Sequence, residues 1–216
     1  MGLPVLVLGE SGSGKSTSLR NFNADELVVY NVAGKPLPFR KGCEFHLADN
    51  VGYGKIMTNM SKKKFKTYVI DDSQYLLCFE LFNRSGETGY TKFTEMAKKF
   101  YELIRFTVEQ LPPDVIVYFL HHVENMDGRV KAKTIGKMLD EKLTVEGLFS
   151  IVLMAKNNDG NYVFLTQSDG TNTVKTPMEM FAEAEIDNDL KLVDNTIREY
   201  YNMNEKKGKE NNDSTV

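Results

Sequence analysis

The chain has 216 residues, of which 41% are hydrophobic and 26% charged, and its formal net charge is −3. This balance is typical of one soluble globular domain and excludes a protein that is basic throughout. The two cysteines, Cys43 and Cys78, are too far apart for a C-x-x-C pair, so we expect neither a disulfide framework nor a zinc site. No apolar run approaches the ~20 residues of a membrane-spanning helix, and we therefore expect a cytoplasmic protein without membrane contact.

Apolar runs alternate with turn residues and helical patterns along the first third of the chain. "PVLVLG" ends at a glycine, as buried parallel strands often do. The pattern predicts, in order, a strand at 4–9, a helix at 15–22, a strand at 26–32, a helix near 49–60 and a strand at 67–71.

The rest of the chain continues the alternation and then changes to a hairpin. "NNDG" separates two β-rich runs and is typical of a tight turn. The predicted elements are helices at 73–82 and 91–111, a strand at 115–122, a polar loop at 125–136, a helix around 137–147, a hairpin over 149–167, and helices at 177–185 and 189–203.

These elements predict an α/β fold with helices on both faces of one sheet. The sheet should be parallel at its centre and extended by the late antiparallel hairpin. We expect a single domain over 1–202 and a disordered polar tail over 203–216.

Residues 9–16, "GESGSGKS", match the pattern G-x-x-x-x-G-K-[ST] at every fixed position. Glycines let backbone N–H groups turn inward around a phosphate, and a helix that begins near Gly14 would add its positive end. Lys15 can reach the β- and γ-phosphates, and the Ser16 hydroxyl can bind Mg²⁺. The expected nucleotide-binding residues are Gly9, Glu10, Ser11, Gly12, Ser13, Gly14, Lys15, Ser16 and Thr17.

An acidic pair follows the strand at 67–71, where a metal-binding carboxylate is needed. We assign Asp71 to Mg²⁺ and Asp72 to orienting or deprotonating the attacking water. The reverse assignment stays open, because a one-residue change of register exchanges the two directions. The alternative role for Asp72 is to cap the following helix.

His121 and His122 end the fourth predicted strand, and alternation places them on opposite sides of the sheet. We expect the more distal residue, His122, to face the nucleotide and sense its γ-phosphate, because strand tips face the crevice. The alternative is a buried histidine whose ring is satisfied by backbone groups.

Other candidate groups for catalysis are scattered. Glu10 and Glu124 are alternative bases, although both are more simply solvated carboxylates. A cation that stabilises the transition state is usual in phosphoryl transfer. The candidates are Arg129, Lys131, Lys133 and Lys175, each of which is more simply a surface charge.

Beyond these motifs, the chain resembles the RecA-like core of P-loop ATPases. The stretches "NVAGKPLPFRKG", "YVIDDSQYL", "YFLHHVE", "TIGKMLDEKLTVEGLFSIVL" and "TVKTPMEMF" look like a phage-encoded ATP-binding family. That family includes single-strand-annealing recombination ATPases, and the resemblance covers roughly residues 3–202.

The resemblance implies a three-layer P-loop NTPase fold, with ATP and Mg²⁺ bound at the glycine-rich motif and Asp71, and His122 as the sensor. It also implies single-stranded DNA as partner and a homo-oligomer with the nucleotide near a subunit interface. Unlike recombinase cores, this chain has no Glu after its second strand ("YNVAGKP"), so the role of base moves to Asp72.

Basic segments at 40–41, 62–66 and 129–133 are candidates to line a path for DNA. Phe39, Phe45, Tyr53 and Phe65 interleave with the first two, and bases can stack on such rings. For each ring taken alone, packing in the core is the simpler interpretation.

Two other functions stay open. A small-molecule or nucleotide kinase has a similar motif, but such kinases use a lid with several arginines over the phosphates. This chain is rich in lysine, and its few arginines are scattered. A non-catalytic ATP-gated assembly protein is favoured if Asp72 is only a cap. A GTPase is least expected, because no N-K-x-D segment is present.

Overall fold

A computed structural model describes residues 1–40, 45–49 and 51–203, apart from the side chains of residues 140 and 141. Its described residues form one sheet of nine strands. The strands are β1 (Leu3–Gly9), β2 (Leu27–Asn31), β3 (His46–Asp49), β4 (Thr67–Asp71), β5 (Ile116–Met126), β6 (Arg129–Ala132), β7 (Ile151–Asn158), β8 (Asn161–Leu165) and β9 (Glu185–Asp187).

The strands lie in the order β3-β2-β4-β5-β1-β7-β8-β9, and β6 pairs with β5. Every pairing from β3 to β7 along this order is parallel, whereas β7, β8 and β9 pair antiparallel. The chain is therefore an α/β protein with a mostly parallel central sheet, as its alternating pattern predicts. The hairpin over 149–167 is confirmed as β7 and β8.

Helices cover both faces of this sheet. The α-helices are α1 (Tyr53–Met60), α2 (Gln74–Asn83), α3 (Thr91–Gln110) and α4 (Leu190–Tyr200). α1, α2 and α3 pack on one face and α4 packs on the other. Side chains of β1 alternate between the two faces of the sheet. Leu6 and Leu8 pack in the core under α1, α2 and α3, whereas Val5 and Val7 pack in the core under α4.

Asp189 fixes the start of α4. Its carboxylate accepts hydrogen bonds from the backbone N–H groups of Lys191 and Leu192, and so satisfies two donors that have no partner inside the helix.

Three sequence predictions are wrong at the level of single elements. The predicted helix at 15–22 is only a 3-10 helix over Thr17–Asn21. The predicted polar loop at 125–136 contains β6, which forms a hairpin with a longer β5. The predicted helix at 177–185 is irregular and leads into β9.

Other differences are smaller. β3 was not predicted, because its four residues carry no apolar alternation, and it forms the edge beside β2. The helix predicted around 137–147 is a π-helical segment over Met138–Leu143, followed by a 3-10 helix over Val145–Leu148. Cys43, Lys41 and the tail beyond Met203 lie outside the described residues.

Among the described residues, no helix is long and apolar enough to cross a membrane.

Candidate functional site

The carboxyl ends of the central parallel strands open into a cleft of about 510 Å³. Four neighbouring strand tips meet there, in the order β2, β4, β5 and β1. Such crevices at strand ends are where open α/β sheets bind ligands. The cleft is lined by Ser11, Gly12, Gly14, Lys15, Ser16, Thr17, Asn31, Lys35, Pro36, Pro38, Asp71, Asp72, His122 and Tyr162.

Most of the glycine-rich loop (residues 9–17) lines this cleft, but the predicted nucleotide-binding residues Gly9, Glu10 and Ser13 are not among the lining residues. Gly12 and Gly14 have φ angles of 78° and 94°, which are costly for residues with a side chain. A Cβ atom on Gly14 would lie 2.8 Å from Cδ1 of Tyr162, so the position requires glycine for space as well. The buried hydroxyl of Ser13 has no hydrogen-bond partner among the described residues. The loop thus curves tightly and keeps an unsatisfied polar group.

Lys15 curls back into the loop that carries it. Its Nζ donates to the carbonyl oxygens of Gly9 and Glu10, at 2.9 and 2.8 Å. Burial lowers the pKa of Lys15 to about 8, and the nearby Asp72 and Asp71 carboxylates oppose this effect. The ammonium group is therefore largely desolvated, and an anion in the cleft would compensate for its burial.

Ser16 and Asp71 contact each other across the cleft. Ser16 Oγ donates to Asp71 Oδ1 at 2.8 Å. Burial, assisted by the charge of Asp72, raises the pKa of Asp71 to about 6. A cation beside this carboxylate would favour its charged form.

This pair suits a magnesium ion. Within the described part of the chain, no group of three or more His, Cys, Asp or Glu side chains could hold a metal. Mg²⁺ does not need such a group, because it takes one or two carboxylates and completes its shell with water and substrate phosphates. The hydroxyl of Ser16 and the carboxylate of Asp71 are oxygen ligands of this kind, and both line the cleft.

Asp72 turns away from Asp71 and contacts two other groups. Its φ of 59° is rare for a residue other than glycine and redirects the chain between β4 and α2. His122 Nε2 donates to Asp72 Oδ1 at 3.1 Å, and Lys35 Nζ lies 2.5 Å from Asp72 Oδ2. Burial raises the pKa of Asp72, but hydrogen bonds from His122 and Lys35 outweigh it and bring the value to about 2. Asp72 is therefore a firmly ionised carboxylate.

The two histidines do not end their strand as predicted, because β5 continues to Met126. They lie where β5 passes from its parallel pairing with β1 to its hairpin with β6, and they face opposite sides of the sheet. His122 lines the cleft, and its ring lies edge-on to Tyr75, with centroids 5.6 Å apart. His121 is fully buried between the Ser73 hydroxyl and the Lys133 carbonyl oxygen, each 2.9 Å from a ring nitrogen. His121 is thus the buried histidine of the pair, held by one backbone carbonyl oxygen and one side-chain hydroxyl rather than by backbone groups alone.

The structure does not bring the other candidate groups to the cleft. Glu10 contributes its backbone carbonyl to Lys15 while its side chain is exposed. Glu124 pairs with Lys131 at 3.8 Å on the β5–β6 hairpin. None of the four candidate cations (Arg129, Lys131, Lys133 and Lys175) is among the cleft-lining residues.

The aromatic residues suggested for base stacking pack against the core. Phe45 is buried, and Phe39, Tyr53 and Phe65 are partly buried against the two hydrophobic clusters. The basic side chains beside them are exposed at Arg40 and over 62–64 and 66. These basic residues could therefore contact DNA through their charge, whereas the neighbouring rings are not free to stack on bases.

Sequence reasoning missed several cleft residues because they come from distant segments. Lys35 follows β2 in the stretch "NVAGKPLPFRKG", which assigns no role to this lysine, and Tyr162 belongs to β8 and lies in no motif. Asn188 is buried beside Gly14, and no described residue hydrogen-bonds to either polar atom of its side-chain amide. Only the positions of β2, β8 and β9 in the sheet bring these residues to the loop.

No protein-family model matches the chain, and no curated protein matches its sequence.

Proposed function

We propose that the protein is a Mg²⁺-dependent ATPase with a RecA-like core that acts on single-stranded DNA. The observation that carries this proposal is the convergence of Lys15, Ser16, Asp71, Asp72 and His122 in one cleft. These are the residue types that phosphoryl transfer requires: a cation and a curved loop for phosphates, oxygen ligands for the metal, and a polar group near the attacked phosphorus.

The strand order also supports this proposal. β5 lies between β1, which leads into the glycine-rich loop, and β4, which carries the acidic pair. The RecA-like interpretation needs this neighbour relation, because it places the sensor residue of β5 beside both. The register agrees, since Gly9 of β1 pairs with His122.

Each side chain has a role that fits its surroundings. Lys15 would exchange the carbonyl oxygens of its own loop for phosphate oxygens. Ser16 and Asp71 would hold Mg²⁺, which supplies charge neutralisation at the phosphates. Asp72, with its low pKa, is a weak proton acceptor, so we propose that it orients the attacking water. His122, hydrogen-bonded to Asp72, would register the loss of the terminal phosphate.

One element of the phosphate site is weaker than the motif predicts. The 3-10 helix after the loop is only five residues long, so the expected positive end of an α-helix contributes little. Phosphate binding would then depend mainly on Lys15 and on the backbone of the loop.

The resemblance to recombination ATPases is the basis for proposing single-stranded DNA as the partner and a homo-oligomer as the assembly. The exposed basic side chains of Arg40, of 62–64 and of Lys66 offer a surface for the phosphates of DNA. Cytoplasmic action, in the host if the chain is phage-encoded, belongs to the same proposal.

A second candidate, a non-catalytic ATP-gated assembly protein, is favoured by one observation. Asp72 is already paired with both Lys35 and His122, and Asp71 accepts a hydrogen bond from Ser16, so both carboxylates among the described cleft-lining residues already have partners. In that case ATP would bind but turn over slowly.

ATP turnover by the purified protein, with and without single-stranded DNA, tests the proposal. We expect DNA to raise turnover, and both Lys15→Ala and Asp72→Ala to lower it at least about 100-fold. Tight binding with turnover that is negligible and indifferent to DNA would favour the assembly protein. Turnover unchanged by Lys15→Ala would exclude this cleft as the site.

A further inference from the structure

Lys35 is a second lysine of the cleft, and it comes from the segment after β2, where the resemblance leads one to expect a glutamate. Its Nζ contacts the Asp72 carboxylate and lies 5.3 Å from the centroid of the Tyr75 ring. The side chain is about 60% exposed. It is therefore held in place by Asp72 but remains accessible to a ligand.

The backbone around Lys35 is fixed by a buried asparagine. Asn31 ends β2, and its Nδ2 donates to the carbonyl oxygen of Lys35 at 2.8 Å, while its Oδ1 accepts from the Lys35 N–H at 3.2 Å. Asn31 Nδ2 also donates to Asp49 at the end of β3. Because both backbone groups of Lys35 are bound, the loop presents this lysine to the cleft in a defined position.

The strand order sets the place of Lys35 relative to the glycine-rich loop. Passing from β1 through β5 and β4 to β2, the cleft presents Lys15, His122, Asp72 and Lys35 in turn. The two lysines therefore stand at opposite ends of this row. If the phosphates of a nucleotide extend from the glycine-rich loop along this row, the terminal phosphate would contact Lys35.

We propose that Lys35 is a ligand of the terminal phosphate, so that the cleft prefers a nucleoside triphosphate to a diphosphate. This inference rests on the proposed nucleotide-binding function. In the free protein Lys35 pairs with Asp72, and the terminal phosphate replaces Asp72 as its partner. Asp72 then keeps its hydrogen bond to His122 and is released to orient water.

The charges in the cleft are consistent with this exchange. Two lysines face two aspartates, and the exposed lysine makes an ion pair that solvent screens and that is easily replaced. A terminal phosphate carries more negative charge than a carboxylate and offers more acceptor oxygens. The lysine therefore gains by moving from Asp72 to the phosphate.

Equilibrium binding of a non-hydrolysable ATP analogue and of ADP, each with Mg²⁺, tests the inference. In Lys35→Met we expect the affinity for the analogue to fall by about 10- to 100-fold, while the affinity for ADP changes less than about 3-fold. Lys35→Arg keeps the charge and should restore much of the preference. Lys99→Met is the matched control, because Lys99 is also exposed and pairs with Glu80 at 2.7 Å, but it is not among the cleft-lining residues.

The outcomes separate the two proposals. If the wild type binds neither nucleotide, the proposed function fails and the role of Lys35 falls with it. If the wild type binds both and Lys35→Met keeps its preference for the analogue, or weakens both equally, the role of Lys35 alone is wrong.

Discussion

His121 and His122 are consecutive residues of β5 with different chemical surroundings. His122 donates a hydrogen bond to the ionised Asp72 at the cleft, whereas His121 is enclosed by Ser73, Lys133 and the Phe100 ring. Burial lowers the pKa of His121 to about 4, so this ring is neutral at physiological pH. Its Nε2–H donates to the Lys133 carbonyl oxygen, and its Nδ1 lies 2.9 Å from the Ser73 hydroxyl, which is also within hydrogen-bond distance of the Leu120 carbonyl oxygen.

A buried neutral histidine makes folding stability depend on pH. Between about pH 6.5 and 4 the unfolded chain binds a proton at His121 that the folded chain does not, so stability falls as the pH falls. We expect His121 to account for roughly 2–3 kcal/mol of this loss between pH 7 and 4.5. Urea unfolding of wild type and His121→Gln at both pH values measures it, because glutamine does not titrate.

The control for this prediction is His46→Gln, since His46 is exposed. That variant should lose stability with pH as wild type does, whereas His121→Gln should lose less. Parallel curves for His121→Gln and wild type would show that His121 is protonated in the folded state.

At the scale of residues, the sequence predicts those functional side chains that lie in a motif. The residues of the glycine-rich loop are consecutive in sequence, and so are the two aspartates. Period-two alternation places His121 and His122 on opposite sides of the sheet. Asn188 lies in no motif, and the stretch that contains Lys35 does not single out this lysine. Their positions depend on which strands become neighbours, and a local pattern does not encode this.

At the scale of elements, α4 is fixed to the sheet by a buried polar network. Arg198 donates to Asp194 Oδ2 at 2.6 Å, to Thr67 Oγ1 at 2.9 Å, and to the carbonyl oxygens of Lys66 and Asp114. Asp194 Oδ1 in turn accepts from Thr67, and also from the hydroxyl of the buried Tyr118. The network satisfies every charged group that the helix buries against β4 and β5.

Removal of one partner should therefore be costly. Arg198→Met leaves Asp194 buried without its cation, and we expect the free energy of unfolding to fall by about 3–5 kcal/mol. Arg105→Met removes an ion pair of the same i,i+4 spacing with Glu109, but on the exposed surface of α3, and should cost less than about 0.5 kcal/mol. Chemical denaturation of the two variants gives the comparison. Equal losses would mean that the network does not anchor α4.

The long apolar elements could be predicted from the sequence, and the short polar ones could not. β1, β4, α2 and α3 have clear periodicity and are found where it places them. β3 and β6 have four residues each, and they are strands because a neighbour supplies their hydrogen bonds. The segment at 177–185 has helical spacing but does not form a helix, and the carbonyl oxygens of Glu183 and Ala184 instead accept hydrogen bonds from Thr166.

At the scale of the whole molecule, the sheet order turns scattered residues into one site. The alternation of strands and helices predicts a parallel sheet, but many strand orders satisfy that pattern. The observed order places the ends of β1, β5, β4 and β2 side by side, and so lines up Lys15, His122, the two aspartates and Lys35. The central claim is that this row binds a nucleoside triphosphate with Mg²⁺.

Calorimetric titration of wild type, Lys15→Met and Lys99→Met with Mg²⁺-ATP tests that claim most directly. We predict that Lys15→Met binds at least about 100-fold more weakly than the other two. It should nevertheless fold at least as stably, because it no longer buries an ammonium group. Absence of binding by wild type, or equal binding by a well-folded Lys15→Met, would contradict the claim.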